Sequence, residues 1–90
     1  MSKVGGINIE EDAYDKILFE KLKALRTEEA QRLHVPPYVV FGDKTLIQMV
    51  RHLPKTPEAF LEIHGVANRK LEQFGDQFIK VIQEYIDENM

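Results

Sequence analysis

Ninety residues leave room for one domain with one core, because a chain this short buries only about two-thirds of its unfolded surface. Apolar residues make up 43% and charged residues 30%, which excludes disordered and fibrous classes, while the lack of cysteine excludes disulfides, thiolate nucleophiles and Cys-ligated zinc. The net charge of -3 excludes a strongly basic nucleic-acid binder.

Residues 1–13 hold a Gly-Gly pair and no sustained period, and are expected to be a linker or expression remnant preceding a domain over residues 14–88. From Tyr14 onward, Leu18, Leu22, Leu25 and Leu33 recur at three- and four-residue spacing, with Lys16, Glu20, Lys23 and Thr27 on the other side. This pattern predicts an amphipathic helix capped by Asp12 and ended before Val35 by Pro36 and Pro37. The VPPYVVF segment has strand propensity but no partner strand, so an extended loop packed on helices is expected, with Val39, Val40 and Phe41 partly buried. A second helix should open at Asp43 as N-cap and turn Leu46, Ile47, Val50 and Leu53 inward, with Pro54 beyond its end. Thr56-Pro57-Glu58 combines an N-cap, a proline at the first helical position and an acid in the first turn, predicting a third helix to about Ile63 that stops at Gly65. A fourth helix is expected over about 67–74, ended by Gly75, and a fifth capped by Asp76 that buries Phe78, Val81, Ile82 and Tyr85. The fold class is therefore all-α, a compact orthogonal bundle of five short helices.

No apolar run approaches the roughly 20 residues of a membrane span, and the N-terminus lacks the apolar region of a signal peptide, so a soluble, intracellular protein with no membrane partner is expected. No phosphate-binding glycine loop, nucleophile elbow or HExxH is present, and His34, His52 and His64 fall in three different segments without ligand spacing. No catalytic residue, metal or cofactor is predicted. The negative charge is concentrated at the ends: residues 14–75 carry ten basic and eight acidic side chains, which permits a modest positive patch.

Two places could use such a patch. Leu61 to Leu71 reads as helix, turn and basic helix, in which Gly65 would let backbone approach a phosphate that Arg69 and Lys70 neutralise. Ala67 departs from the common hairpin by adding a Cβ, and a plain helix corner packed by Ile63, Val66 and Leu71 explains the same residues. Tyr38, on a stiff loop after two prolines, could stack on an unpaired base or lie over the core with its hydroxyl in water. Lys44, Lys23 and Arg26 could flank it, although Lys23 beside Glu20 also suits an intrahelical pair.

Taken together, Leu18-Phe19-x-x-Leu22-x-x-Leu25-Arg26, then Val35-Pro36-Pro37-Tyr38-Val39-Val40-Phe41-x-Asp43-x-Thr45-Leu46, Leu53-Pro54, and Gly65-Val66-x-x-Arg69-Lys70-Leu71-x-x-Phe74-Gly75 resemble the HRDC (helicase and RNase D C-terminal) domain. The likeness runs from about Tyr14 to Tyr85 and is closer to the branch found in RecQ-type DNA helicases than to the RNase D branch. It implies a five-helix bundle that acts as an accessory module of an ATP-dependent DNA helicase. Such a module would bind single-stranded or branched DNA, tune substrate choice, and serve DNA repair and recombination. The implied contact region maps to Tyr38 with Lys23, Arg26 and Lys44, and the implied partners are DNA and the helicase core of the same polypeptide. Two alternatives stay open: a protein-interaction module docking on the helicase core or a partner through an acidic face such as Glu84, Asp87 and Glu88, or an RNA-binding accessory domain of an RNase D-type nuclease. An isolated domain of this kind is expected to be monomeric, and in a bacterium to work in the cytoplasm at the nucleoid.

Overall fold

The computed structural model describes residues 15–89. The expected linker over residues 1–13, the cap at Asp12 and the helix start at Tyr14 lie outside them. The first described helix, α1, is Lys16–Leu33, and Asp15 caps it: its Oδ1 accepts from the backbone N–H groups of Ile17 and Leu18 at 2.8 and 3.0 Å. It ends where His34 turns left-handed at φ 59°, letting Val35 N–H bond back to the Ala30 carbonyl before the two prolines. Leu18, Leu22 and Ala30 are buried along its inner side, whereas Leu33 is exposed.

Helix α2, Pro37–Val40, replaces the extended loop expected for VPPYVVF. Pro37 occupies the first helical position, where a missing N–H costs nothing, and Val39 N–H closes the turn on the Pro36 carbonyl at 3.0 Å. The turn overrides strand propensity because it sends Val40 and Phe41 fully into the core while Tyr38 and Val39 stay outside. Val39 is therefore exposed rather than partly buried.

Helix α3, Asp43–His52, takes Gly42 as its N-cap rather than Asp43. The Asp43 carboxylate is diverted to Arg26, though its charge still sits favourably in the first turn. Leu46 and Val50 are buried as expected, Ile47 and Leu53 only in part, and Met49 and Thr45 join the interior. Leu53 ends the helix in the left-handed region at φ 50°. Helix α4, Pro57–Leu61, starts as predicted, with Thr56 Oγ1 accepting from Ala59 N–H at 3.1 Å. It stops short of Ile63, since Glu62 and Ile63 close tighter turns onto Ala59 and Phe60.

The expected fourth and fifth helices are one helix, α5, Asn68–Asn89, of 22 residues. Neither Gly75 nor Asp76 breaks it. Phe74, Phe78, Ile79 and Ile82 form an unbroken buried stripe, and one glycine costs a helix only about 1 kcal/mol. Five helices and an all-α bundle stand, reached through a different partition in which α2 supplies the fifth element and α5 is long. The core sits between α1, α3, α4 and α5, where the Phe41 ring meets Phe60, Phe74 and Phe78 edge-on at centroid distances of 6.0, 5.7 and 5.0 Å.

Candidate nucleic-acid interface

Helix α2 is too short to satisfy its own backbone. A four-residue helix leaves its last carbonyls without intrahelical donors. Two cations from other helices answer them. Lys70, from the first turn of α5, donates through Nζ to the Val39 carbonyl at 2.6 Å and the Val40 carbonyl at 2.8 Å, and its ammonium lies 5.4 Å from the Phe41 ring centroid. Arg26, from α1, donates through Nη1 to the Phe41 carbonyl at 3.0 Å and to Asp43 Oδ1 at 2.7 Å. Three successive carbonyls, 39 to 41, are thus held by two side chains, one from before the turn in sequence and one from after it. Burial pushes the Lys70 amine below its usual lysine value.

The clamp fixes Tyr38. Its side chain is 73% exposed on the outside of α2, so it stands in water rather than lying over the core. Pro37, Tyr38, Gly42, Asp43 and Lys44 line a shallow hollow, with the buried Arg26 at its base. An aromatic face beside an exposed ammonium, on a turn that cannot reorient without breaking three cationic hydrogen bonds, is suited to stacking on a flat ring and neutralising an adjacent anion.

The other sequence-predicted residues are placed differently. Arg26 is only 9% exposed and is committed to internal acceptors. Lys70 likewise faces the back of the turn. Lys23 lies over the Phe19 ring at 5.4 Å, not in an ion pair with Glu20, and is not among the residues lining the Tyr38 hollow. Arg69 is exposed in the first turn of α5. Gly65 adopts φ 94°, and a Cβ there would run into the Thr45 hydroxyl, so its glycine serves the packing of a corner held by buried Ile63 and half-buried Val66 and Leu71. Sequence reasoning missed the clamp, because the helical turn whose carbonyls it holds was itself expected to be an extended loop. Among the described residues no group of three or more His, Cys, Asp or Glu could hold a metal ion, and no helix is long and apolar enough to cross a membrane.

The family model described as the HRDC domain matches residues 15–82. The chain is 44% identical over 72 residues to the ATP-dependent DNA helicase RecQ of Haemophilus influenzae, a match covering 80% of this chain and 12% of the helicase. It is 39% identical over 69 residues to the ATP-dependent DNA helicase UvrD2 of Mycobacterium tuberculosis, covering 77% of this chain and 10% of that protein. Among solved structures, the D. radiodurans RecQ HRDC domain 3 superimposes with a TM-score of 0.75 at 27% identity, covering 78% of this chain and 92% of that one. The chain spans about a tenth of the helicases it matches.

Proposed function

The chain belongs to the HRDC domain family, and from that premise we propose that it is an accessory DNA-binding module of an ATP-dependent DNA helicase, gripping single-stranded or branched DNA through Tyr38 and Lys44. The observation that carries this reading is Tyr38, largely exposed yet held on a turn whose carbonyls are pinned by Arg26 and Lys70. An aromatic already fixed in position loses little entropy when a base stacks on it. Lys44 neutralises a neighbouring phosphate, and Lys23 and Arg69 add attraction from farther off; Arg26 and Lys70 act by positioning the turn, and Gly65 by holding the corner behind it. With so few free cations and a net negative chain the grip is weak. Tethering to a helicase core in the same polypeptide raises the local concentration enough for a weak grip to bias substrate choice.

The relatives named above are DNA helicases, which favours DNA over RNA as the ligand and leaves RecQ-type and UvrD-type parents both open. In a bacterial cell the module would work in the cytoplasm at the nucleoid.

The test is fluorescence anisotropy with a labelled oligo(dT) of roughly 15 nucleotides at low salt, a length within the usual span of single-strand sites. Tyr38→Ala should weaken binding by about 5- to 150-fold, the range expected for one lost base stack of about 1–3 kcal/mol. Binding that is absent in the unaltered chain, or unmoved by Tyr38→Ala combined with Lys44→Ala, would remove the proposal. An oligo(U) of equal length bound more tightly than oligo(dT) would transfer it to RNA.

A further inference from the structure

A second surface has the opposite chemistry. Between α1 and α5 runs a groove whose floor is formed by Leu25, Val81 and Tyr85, each half-buried, and whose rim carries Glu28, Glu84 and Glu88, all exposed. Lys21 at one margin is its single cation. Among the described residues none of the three glutamates enters an ion pair, and three carboxylates against one ammonium leave the groove net negative. The groove shares no residue with the Tyr38 hollow.

We propose that this groove is a docking site for a short basic amphipathic protein segment, which sets apolar side chains on Leu25, Val81 and Tyr85 and Lys or Arg side chains against Glu28, Glu84 and Glu88. Lys21 to Glu28 and Val81 to Glu88 each span about 10 Å of helix axis, so the groove accommodates roughly two turns of a third helix laid along it. Charge decides between occupants. DNA is disfavoured, because three carboxylates along the rim repel phosphate. The chain's own residues 1–13, with one lysine against three acids, carry the wrong sign, and a second copy related by a two-fold axis would set the same acidic rim against itself. Tyr85 supplies a large contact area with few rotatable bonds, the usual make-up of a binding anchor. The site does not depend on DNA binding at Tyr38.

The experiment titrates the 15N-labelled chain with a synthetic peptide of Lys, Leu and Ala, roughly four helical turns long, whose leucines share one helix face. A scrambled peptide of the same composition, whose leucines are spread around the helix, serves as the comparison. Amide shifts are expected to cluster at residues 21–28 and 81–88, and the scrambled peptide should bind about fivefold more weakly or worse. Glu84→Lys with Glu88→Lys, both at exposed positions, should lower affinity about tenfold while leaving the circular dichroism unchanged. Equal binding of the two peptides, shifts outside the groove, or indifference to the double substitution each overturns the proposal. Two separate titrations keep the surfaces apart: oligo(dT) binding unmoved by Tyr38→Ala combined with Lys44→Ala sinks the DNA reading alone, and peptide shifts that fail to map to the groove sink the groove alone.

Discussion

Arg26 and Lys70 are the two side chains whose substitution should be most informative. Arg26→Ala removes the donor to the Phe41 carbonyl and to Asp43 together, leaving a buried carbonyl unanswered, so it should destabilise the chain by about 1.5–3 kcal/mol in urea denaturation. Arg26→Lys should recover part of that, because both acceptors are reached by the single nitrogen Nη1 and an ammonium carries three donors. The stabilising effect of Lys70 should depend on pH with a definite sign. Its folded value is lowered from 10.5, so between the lowered value and 10.5 the unfolded chain binds more protons than the folded one. Relative to Lys70→Met, the unaltered chain should therefore gain stability as pH rises through that window and lose the gain as pH falls back through the folded value, which thermal unfolding at pH 8 and pH 10 would reveal. That Tyr38 and Lys44 lie close together was legible in the sequence, because they are only six positions apart. The clamp was not, since its acceptors are backbone carbonyls, which every residue owns, and a Lys or Arg on an amphipathic helix reads as surface.

Two glycines show where local rules hold and where packing overrides them. Gly65 lies at φ 94° with the Thr45 hydroxyl against it, so Gly65→Ala should cost about 1–3 kcal/mol. Gly75 sits inside α5, and an added Cβ would meet only the Cδ1 tip of the Leu71 side chain, at 2.6 Å. The helix-propensity gain of about 1 kcal/mol and the cost of moving Leu71, about 0.5–1.5 kcal/mol, nearly cancel. Gly75→Ala should then change stability by less than about 1 kcal/mol in either direction. Comparing the two midpoints checks both. The same contrast explains what the chain discloses about its helices. The starts of α3 and α4 carried caps and a proline within one residue of where they lie, and the end of α1 was fixed by Pro36 and Pro37. The break expected at Gly75 rested on residue type alone, and lost to a continuous stripe from Phe74 to Ile82 that only makes sense against a shared core. The turn at Pro37–Val40 was hidden for a similar reason: its residues prefer strands, and burial of Val40 and Phe41 outweighed that preference.

At the scale of the whole molecule, the charge pattern is a better guide than the total. If Lys44 and one further cation carry the electrostatic part of DNA binding, log affinity should fall with log salt at a slope of only about -1 to -2, since each phosphate neutralised on a single strand contributes about -0.7. A slope steeper than about -3 would mean that more cations reach the strand than the exposed set around Tyr38 provides. The acidic groove would contribute nothing to that slope, and its peptide should weaken with salt independently. The long α5 gives these separate behaviours a mechanical meaning. Lys70 and Tyr85 lie on one uninterrupted rod, about 22 Å apart along its axis, with no hinge at Gly75. A rod without a hinge transmits position but not state, so it works as a ruler: strand and protein segment would be held at a fixed spacing, each indifferent to whether the other is present.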